Sequence, residues 1–154
     1  MTDSRAAEYA SRLAERGVVI GYREMDDSTH TAQQAADAIG CPVAAIVKSL
    51  LFRAGDGFVL VLASGPNRVD TDLVAALVGA PVAMADAKTV NSVTGYSIGG
   101  VPPLAHATEL PTIVDESLLE HDEVWAAAGS ANSVFPISPA RLVDLASATV
   151  ARVS

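Results

Sequence analysis

The chain has 154 residues, half of them apolar and 18% charged, which is enough for one domain with a real core and too few for two ordinary ones. That balance excludes a disordered chain, and a net charge of −8 excludes broad sequence-independent binding to a duplex, where a basic face supplies most of the affinity. Cys41 stands alone, so no internal disulfide forms, and one cysteine with three histidines offers no ligand pair at zinc spacing.

In chain order, 4–16 predicts a helix. Thr2, Asp3 and Ser4 offer caps, Ala6, Tyr9, Ala10 and Leu13 share a face, and Gly17 stops it. Residues 18–22 predict a strand. Thr31-Ala32-Gln33-Gln34 fits a capping box for a short helix ending at Gly40 before Pro42. A strand over 46–53, a turn at 54–57 and a second apolar strand over 58–63 form a hairpin. Asp70 caps a helix through Leu73, Val74 and Leu77 to Gly79, 81–84 reads as a short strand, and Asp86 caps a helix to Gly95. Strands are expected at 112–115, 124–128 and 133–137. Ser138-Pro139 then opens a last helix through Leu142 and Leu145. Strands and helices interspersed around hairpins imply a mixed α/β fold, expected as a single domain over 1–154. The longest uncharged run, 73–85, is broken by Gly79 and Pro81 and falls short of a membrane span, and 1–5 has no apolar h-region. With the lone thiol, these features lead us to expect a cytoplasmic protein without membrane contact.

Chemistry has three candidate places. Of ten cationic side chains only Lys48 and Lys88 are lysines, and Lys48 lies inside the apolar run Val43-Ala44-Ala45-Ile46-Val47-Lys48-Ser49-Leu50-Leu51-Phe52. Either its stem packs while its head reaches water, or the cation is held at a pocket wall to meet a phosphate, a carboxylate or a developing oxyanion. The second place is Gly99-Gly100-Val101-Pro102-Pro103: a plain connector, or a stiffened loop whose glycine amides cradle an anion. The third, Gly95-Tyr96-Ser97-Ile98-Gly99, spells the G-x-S-x-G elbow of serine hydrolases. That elbow needs a helix straight after the serine, which the following glycines and prolines forbid. His106 and His121 are expected at the surface, Cys41 buried as a structural thiol and Trp125 in the core.

Three stretches together carry a resemblance. Ile46-Val47-Lys48-Ser49-Leu50, then Thr94-Gly95-Tyr96 with Gly99 to Leu104, then Ala128-Gly129-Ser130 and Ile137-Ser138-Pro139-Ala140-Arg141-Leu142 resemble the YbaK/EbsC family. Its members are freestanding relatives of the editing domain of bacterial prolyl-tRNA synthetases. The resemblance spans roughly 18–150. It implies a mixed α/β domain whose curled mixed sheet, surrounded by helices, encloses a small pocket. It also implies an aminoacyl-tRNA deacylase, hydrolysing the ester between a mischarged amino acid and the tRNA 3′-terminal adenosine. On that resemblance Lys48 is the key residue, Gly99 and Gly100 bind the carbonyl, and Ser49, Val101, Pro102 and Pro103 line the site with Tyr22 and Ser130.

The partner so implied is the aminoacyl-tRNA acceptor end, with a synthetase or elongation factor supplying further affinity, and with no DNA, membrane, metal or cofactor. Arg53, Arg68 and Lys88 are candidates for local phosphate contacts. Two alternatives remain: a non-catalytic module binding aminoacyl ends or a small carboxylate, and a serine esterase at Ser97.

Overall fold

The computed structural model describes residues 4–25 and 31–154. Helix α1 (Arg5–Glu15) starts where the Ser4 hydroxyl accepts from the Ala7 amide, and it buries Ala6, Tyr9 and Leu13 along one face. The other two expected caps, Thr2 and Asp3, lie outside the described residues. The expected strand at 18–22 does not form. Val18 is buried, but Val19 is 79% exposed, and backbone pairing begins only with β1 (Arg23–Glu24). Apolar composition was there without a neighbouring strand to bond.

Helix α2 (Ala32–Ile39) carries the full Thr31–Gln34 capping box and ends on Gly40 in the left-handed region. A 3-10 turn (Val43–Ala45) leads into β2 (Val47–Ala54), which pairs antiparallel with β3 (Gly57–Ser64) along its whole length. Helix α3 (Thr71–Val78) is capped by Asp70, β4 (Val82–Met84) pairs with β2, and α4 (Ala87–Thr94) is capped by Asp86 and closed by Gly95. After the 95–111 loop come β5 (Thr112–Asp115), the 3-10 turn Glu116–Glu120, β6 (Val124–Ala127) and β7 (Ser133–Ile137). Helix α5 (Pro139–Ala146), with Pro139 in its first turn, precedes β8 (Thr149–Ala151), a short strand that the sequence pattern does not announce.

The strands form two sheets, ordered β4-β2-β3-β5-β8 and β1-β7-β6. Parallel pairs β3–β5 and β5–β8 in an otherwise antiparallel arrangement make the larger sheet mixed. It is buried on both faces at β3. Leu60 and Leu62 join Leu13, Val114, Phe135 and Leu142 on one side, while Val59 and Val61 join Phe52, Val74 and Ile113 on the other. Each fully buried leucine there contributes about 2 kcal/mol of transfer free energy. One bridge, between Ile46 and Trp125, ties the start of β2 to β6, and a third cluster of Ala35, Ala36, Ile46, Trp125 and Val134 packs along that seam.

Candidate active site

A cavity of about 300 Å³ lies at the seam between the two sheets. One wall is β2, where Val47, Lys48, Ser49, Leu50 and Leu51 all border it; Val47 and Leu51 also belong to the main core, and Leu50 and Phe52 pack toward Val74 of α3. Trp125 and Ala127 of β6, with Ser133 and Val134 of β7, form the opposite wall. Ile98, Gly99 and Val101 close one end, and Met84 and Ile98, both largely exposed, flank it.

Of the residues singled out in the sequence, Lys48, Ser49, Gly99 and Val101 therefore share one cavity. Lys48 is half-buried at its edge, and its Nζ donates to the main-chain carbonyl of Asn67 at 2.5 Å. Burial lowers the pKa of this amine from the ordinary lysine value. The Ser49 hydroxyl is buried and, among the described residues, has no hydrogen-bond partner. Lys48 is the only titratable side chain on the cavity wall among those residues.

Tyr22, Gly100, Pro102, Pro103 and Ser130 are not on that wall. Tyr22 packs half-buried against the main core. Gly100 works from behind: a Cβ there would sit 2.8 Å from the Ser130 backbone, so only glycine lets the loop lie on the 130–131 segment. Its amide donates to the Ser97 carbonyl at 2.9 Å, closing a turn, so a preformed pair of free Gly99 and Gly100 donors is not present. Gly99 has φ +89°, which suits glycine. Pro102 and Pro103 are buried beyond the cavity, and Pro103 lines a separate groove of about 980 Å³ on the far side of the loop with Leu13, Arg16 and His106. The Ser130 hydroxyl meets Asn132 Oδ1 and Ser133 Oγ, and it is Ser133 that reaches the wall.

The loop is held from the rear by residues the sequence reading placed elsewhere. His106, expected at the surface, is half-buried, with Nε2 on the Pro102 carbonyl at 2.6 Å. Burial, more than that bond opposes, lowers its pKa and keeps the ring neutral at pH 7. Its Nε2–H is then the donor. Buried Tyr9 donates from its hydroxyl to the Leu104 carbonyl at 3.1 Å and packs edge-on against Tyr96. Thr94 Oγ1 donates to Val90 and accepts from the Tyr96 amide, fixing the start of the loop. Cys41, expected buried, is half-exposed beside the seam cluster. Ser97 is exposed, follows a helix rather than a strand, and is followed by a turn, the reverse of a nucleophile elbow. Trp125 is in the core as expected, and Arg23 stacks over its ring at 4.9 Å.

A mixed α/β fold with a small, mostly apolar cavity between two sheets defines the class. The chain matches the aminoacyl-tRNA editing domain family over residues 26–145 and belongs to it. It is 34% identical over 122 residues to protein YwhH of Bacillus subtilis (strain 168), covering 79% of this chain and 78% of that one. It is 31% identical over 105 residues to a proline–tRNA ligase of Desulfovibrio desulfuricans, covering 68% of this chain but 18% of that enzyme. A crystal structure of a candidate trans-editing enzyme for prolyl tRNA synthetase superposes with a TM-score of 0.95 at 41% identity, covering 100% of this chain and 99% of the other. Among the described residues no helix is long and apolar enough to cross a membrane, and no group of three His, Cys, Asp or Glu is placed to hold a metal.

Proposed function

We propose that the protein is a trans-editing aminoacyl-tRNA deacylase, hydrolysing the ester between a mischarged amino acid and the 3′-terminal adenosine of a tRNA. The observation that carries this reading is the shared cavity: Lys48, Ser49 and Gly99, distant in sequence, border a space at the small end of ligand pockets. Such a space suits one amino-acid side chain.

An aminoacyl ester is already activated, so the site needs only a positioned water, stabilisation of the oxyanion and selective entry. Water attacks the carbonyl carbon, the bond to the ribose 3′-oxygen breaks, and a free amino acid and an intact tRNA end leave. The Gly99 amide is the candidate oxyanion donor, and Lys48 supplies positive charge to the terminal phosphate or the ester region. With no other titratable group on the wall among the described residues, the substrate's own 2′-hydroxyl is the natural group to orient the water. Pocket size alone separates amino acids by about 1–3 kcal/mol per methylene, which is what a second sieve exploits. The acidic chain touches only the acceptor end, and a synthetase or elongation factor supplies the remaining affinity.

The engagement of the Lys48 amine by the Asn67 carbonyl favours one second reading: a module that binds aminoacyl ends without cleaving them. Single-turnover assays on a panel of mischarged tRNAs separate the two. An enzyme depletes the ester, a binder protects it, and protection of every member of the panel would refute the deacylase.

A further inference from the structure

The carbonyl that receives the Lys48 amine belongs to Asn67, just past the Gly65-Pro66 turn that follows β3. Main chain at such a turn is free to drift unless something holds it. Here the Asn67 main-chain amide closes the turn on the Ser64 carbonyl at 3.0 Å, and the side chain of the same residue adds a second hold. Asn67 Nδ2 lies 3.0 Å from Ser117 Oγ, 3.2 Å from Ser154 Oγ and 3.3 Å from Asp115 Oδ2. Asp115, 1% exposed at the end of β5, also accepts from Ser154 Oγ at 2.6 Å and from Ser117 Oγ at 3.0 Å.

An ionised carboxylate only accepts, so it fixes the direction of every proton around it. Both serine hydroxyls donate to Asp115, each offers its lone pairs to the Asn67 amide, and the amide can point only one way. Burial would raise the Asp115 pKa, but hydrogen bonds from Ser154, Ser117, Asn67 and the Val153 amide outweigh it and hold the group ionised. The donors around this buried carboxylate are neutral, and two cations each stand one residue away: Lys48 through Asn67, and Arg152, whose Nε donates to the Ser154 carbonyl at 3.2 Å. A buried carboxylate ringed by neutral donors is an expensive way to hold a loop. It is a direct way to fix one carbonyl.

We propose that Asn67 and Asp115 are positioning residues for Lys48: the carboxylate orients the asparagine, and the asparagine carbonyl sets where the ammonium stands at the cavity edge. The activity arm of the test rests on the deacylase reading, whereas the spectroscopic arm does not. The chain has two lysines, Lys48 and Lys88, so labelling lysine at Cε with carbon-13 gives two assignable resonances.

In the wild type the Lys48 resonance titrates below the ordinary lysine value. In Asn67→Ala it should move toward the ordinary lysine value, and in the milder Ser154→Ala part of the way. Deacylation kcat should fall about tenfold in Asn67→Ala, as a displaced catalytic group implies, while KM changes little. In a Lys48→Ala background the same substitution should cost less than twofold. Asp115→Asn keeps the shape and removes the charge, and it should reproduce the Asn67→Ala shift. Should it fail to fold, Ser154→Ala carries that arm. An unmoved Lys48 resonance in a folded Asn67→Ala protein overturns the proposal, as does an equal loss of kcat in both backgrounds. No deacylation by the wild type would sink the deacylase reading and leave the resonance test standing.

Discussion

The cavity has two contrasting sides. On the strand side, Lys48 is tied through Asn67 to a buried network around Asp115, while the neighbouring Ser49 hydroxyl has no partner among the described residues. The loop side presents Ile98, Gly99 and Val101, and its order comes from residues behind it: Tyr9, Thr94, Tyr96 and His106. Charge is placed by a polar lattice, and a bare main-chain wall is placed by aromatic packing. Removing the lysine that the first places should change chemistry with little loss of stability, and damage to the second should change both.

The widest separation is expected for Lys48→Ala. Single-turnover deacylation should fall about a hundredfold with the thermal midpoint nearly unchanged, because the residue is half-exposed and the buried Asp115 carboxylate keeps its own neutral donors. Turnover near wild type on every mischarged tRNA would remove the lysine from the mechanism. Gly100→Ala tests the other side. Its new methyl meets the Ser130 backbone at 2.8 Å, so the loop must shift, costing about 1–3 kcal/mol in denaturant titrations together with a loss of kcat/KM.

The pH profile is a finer probe of the strand side. Burial disfavours the Lys48 ammonium, so activity that needs the cation is full at neutral pH and falls as pH rises through a pKa below the ordinary lysine range. Between that lowered value and the unfolded one the unfolded chain holds more protons, so this group makes the protein gain stability with pH there. A rate that stays flat to the ordinary lysine range would mean the charge is not used.

On the loop side, Tyr9→Phe removes the bond to the Leu104 carbonyl and should cost about 1 kcal/mol, read as a lowered denaturation midpoint. The smallest effect has the opposite sign. Ala105 sits at φ +60°, so Ala105→Gly should stabilise by about 1 kcal/mol in the same titration, and a loss instead would show the Ala105 methyl to be contributing packing.

Much of the fold was legible because its signals are local. The Thr31–Gln34 box, the Asp70, Asp86 and Ser138 caps and the stops at Gly40, Gly79 and Gly95 need only neighbouring residues to act, and all are in place. Lys48 stood out because a cation in an apolar strand is costly wherever it ends up. What escaped depends on distant partners. Val18 to Tyr22 has strand composition without a strand to pair with, while Thr149–Ala151 is too short to stand out in sequence and pairs because β5 lies open beside it. The same limit hid the network: Asn67, Asp115 and Ser154 are each ordinary in sequence and meet only after the parallel β5–β8 pairing forms. It also hid Ser133, a hydroxyl in an apolar strand that takes the place expected of Ser130 on the wall. The turn that consumes the Gly100 amide was equally out of reach, since two adjacent glycines do not say which N–H stays free.

The Ile46–Trp125 bridge has a consequence for how such a protein diversifies. Because the opening straddles two sheets joined there by one rung, its width depends on the tilt between them as much as on the residues lining it. A substitution in either sheet's distant packing can therefore widen or narrow the entrance while the reacting groups stay put. Substrate preference is free to drift by remote changes, leaving the catalytic apparatus intact.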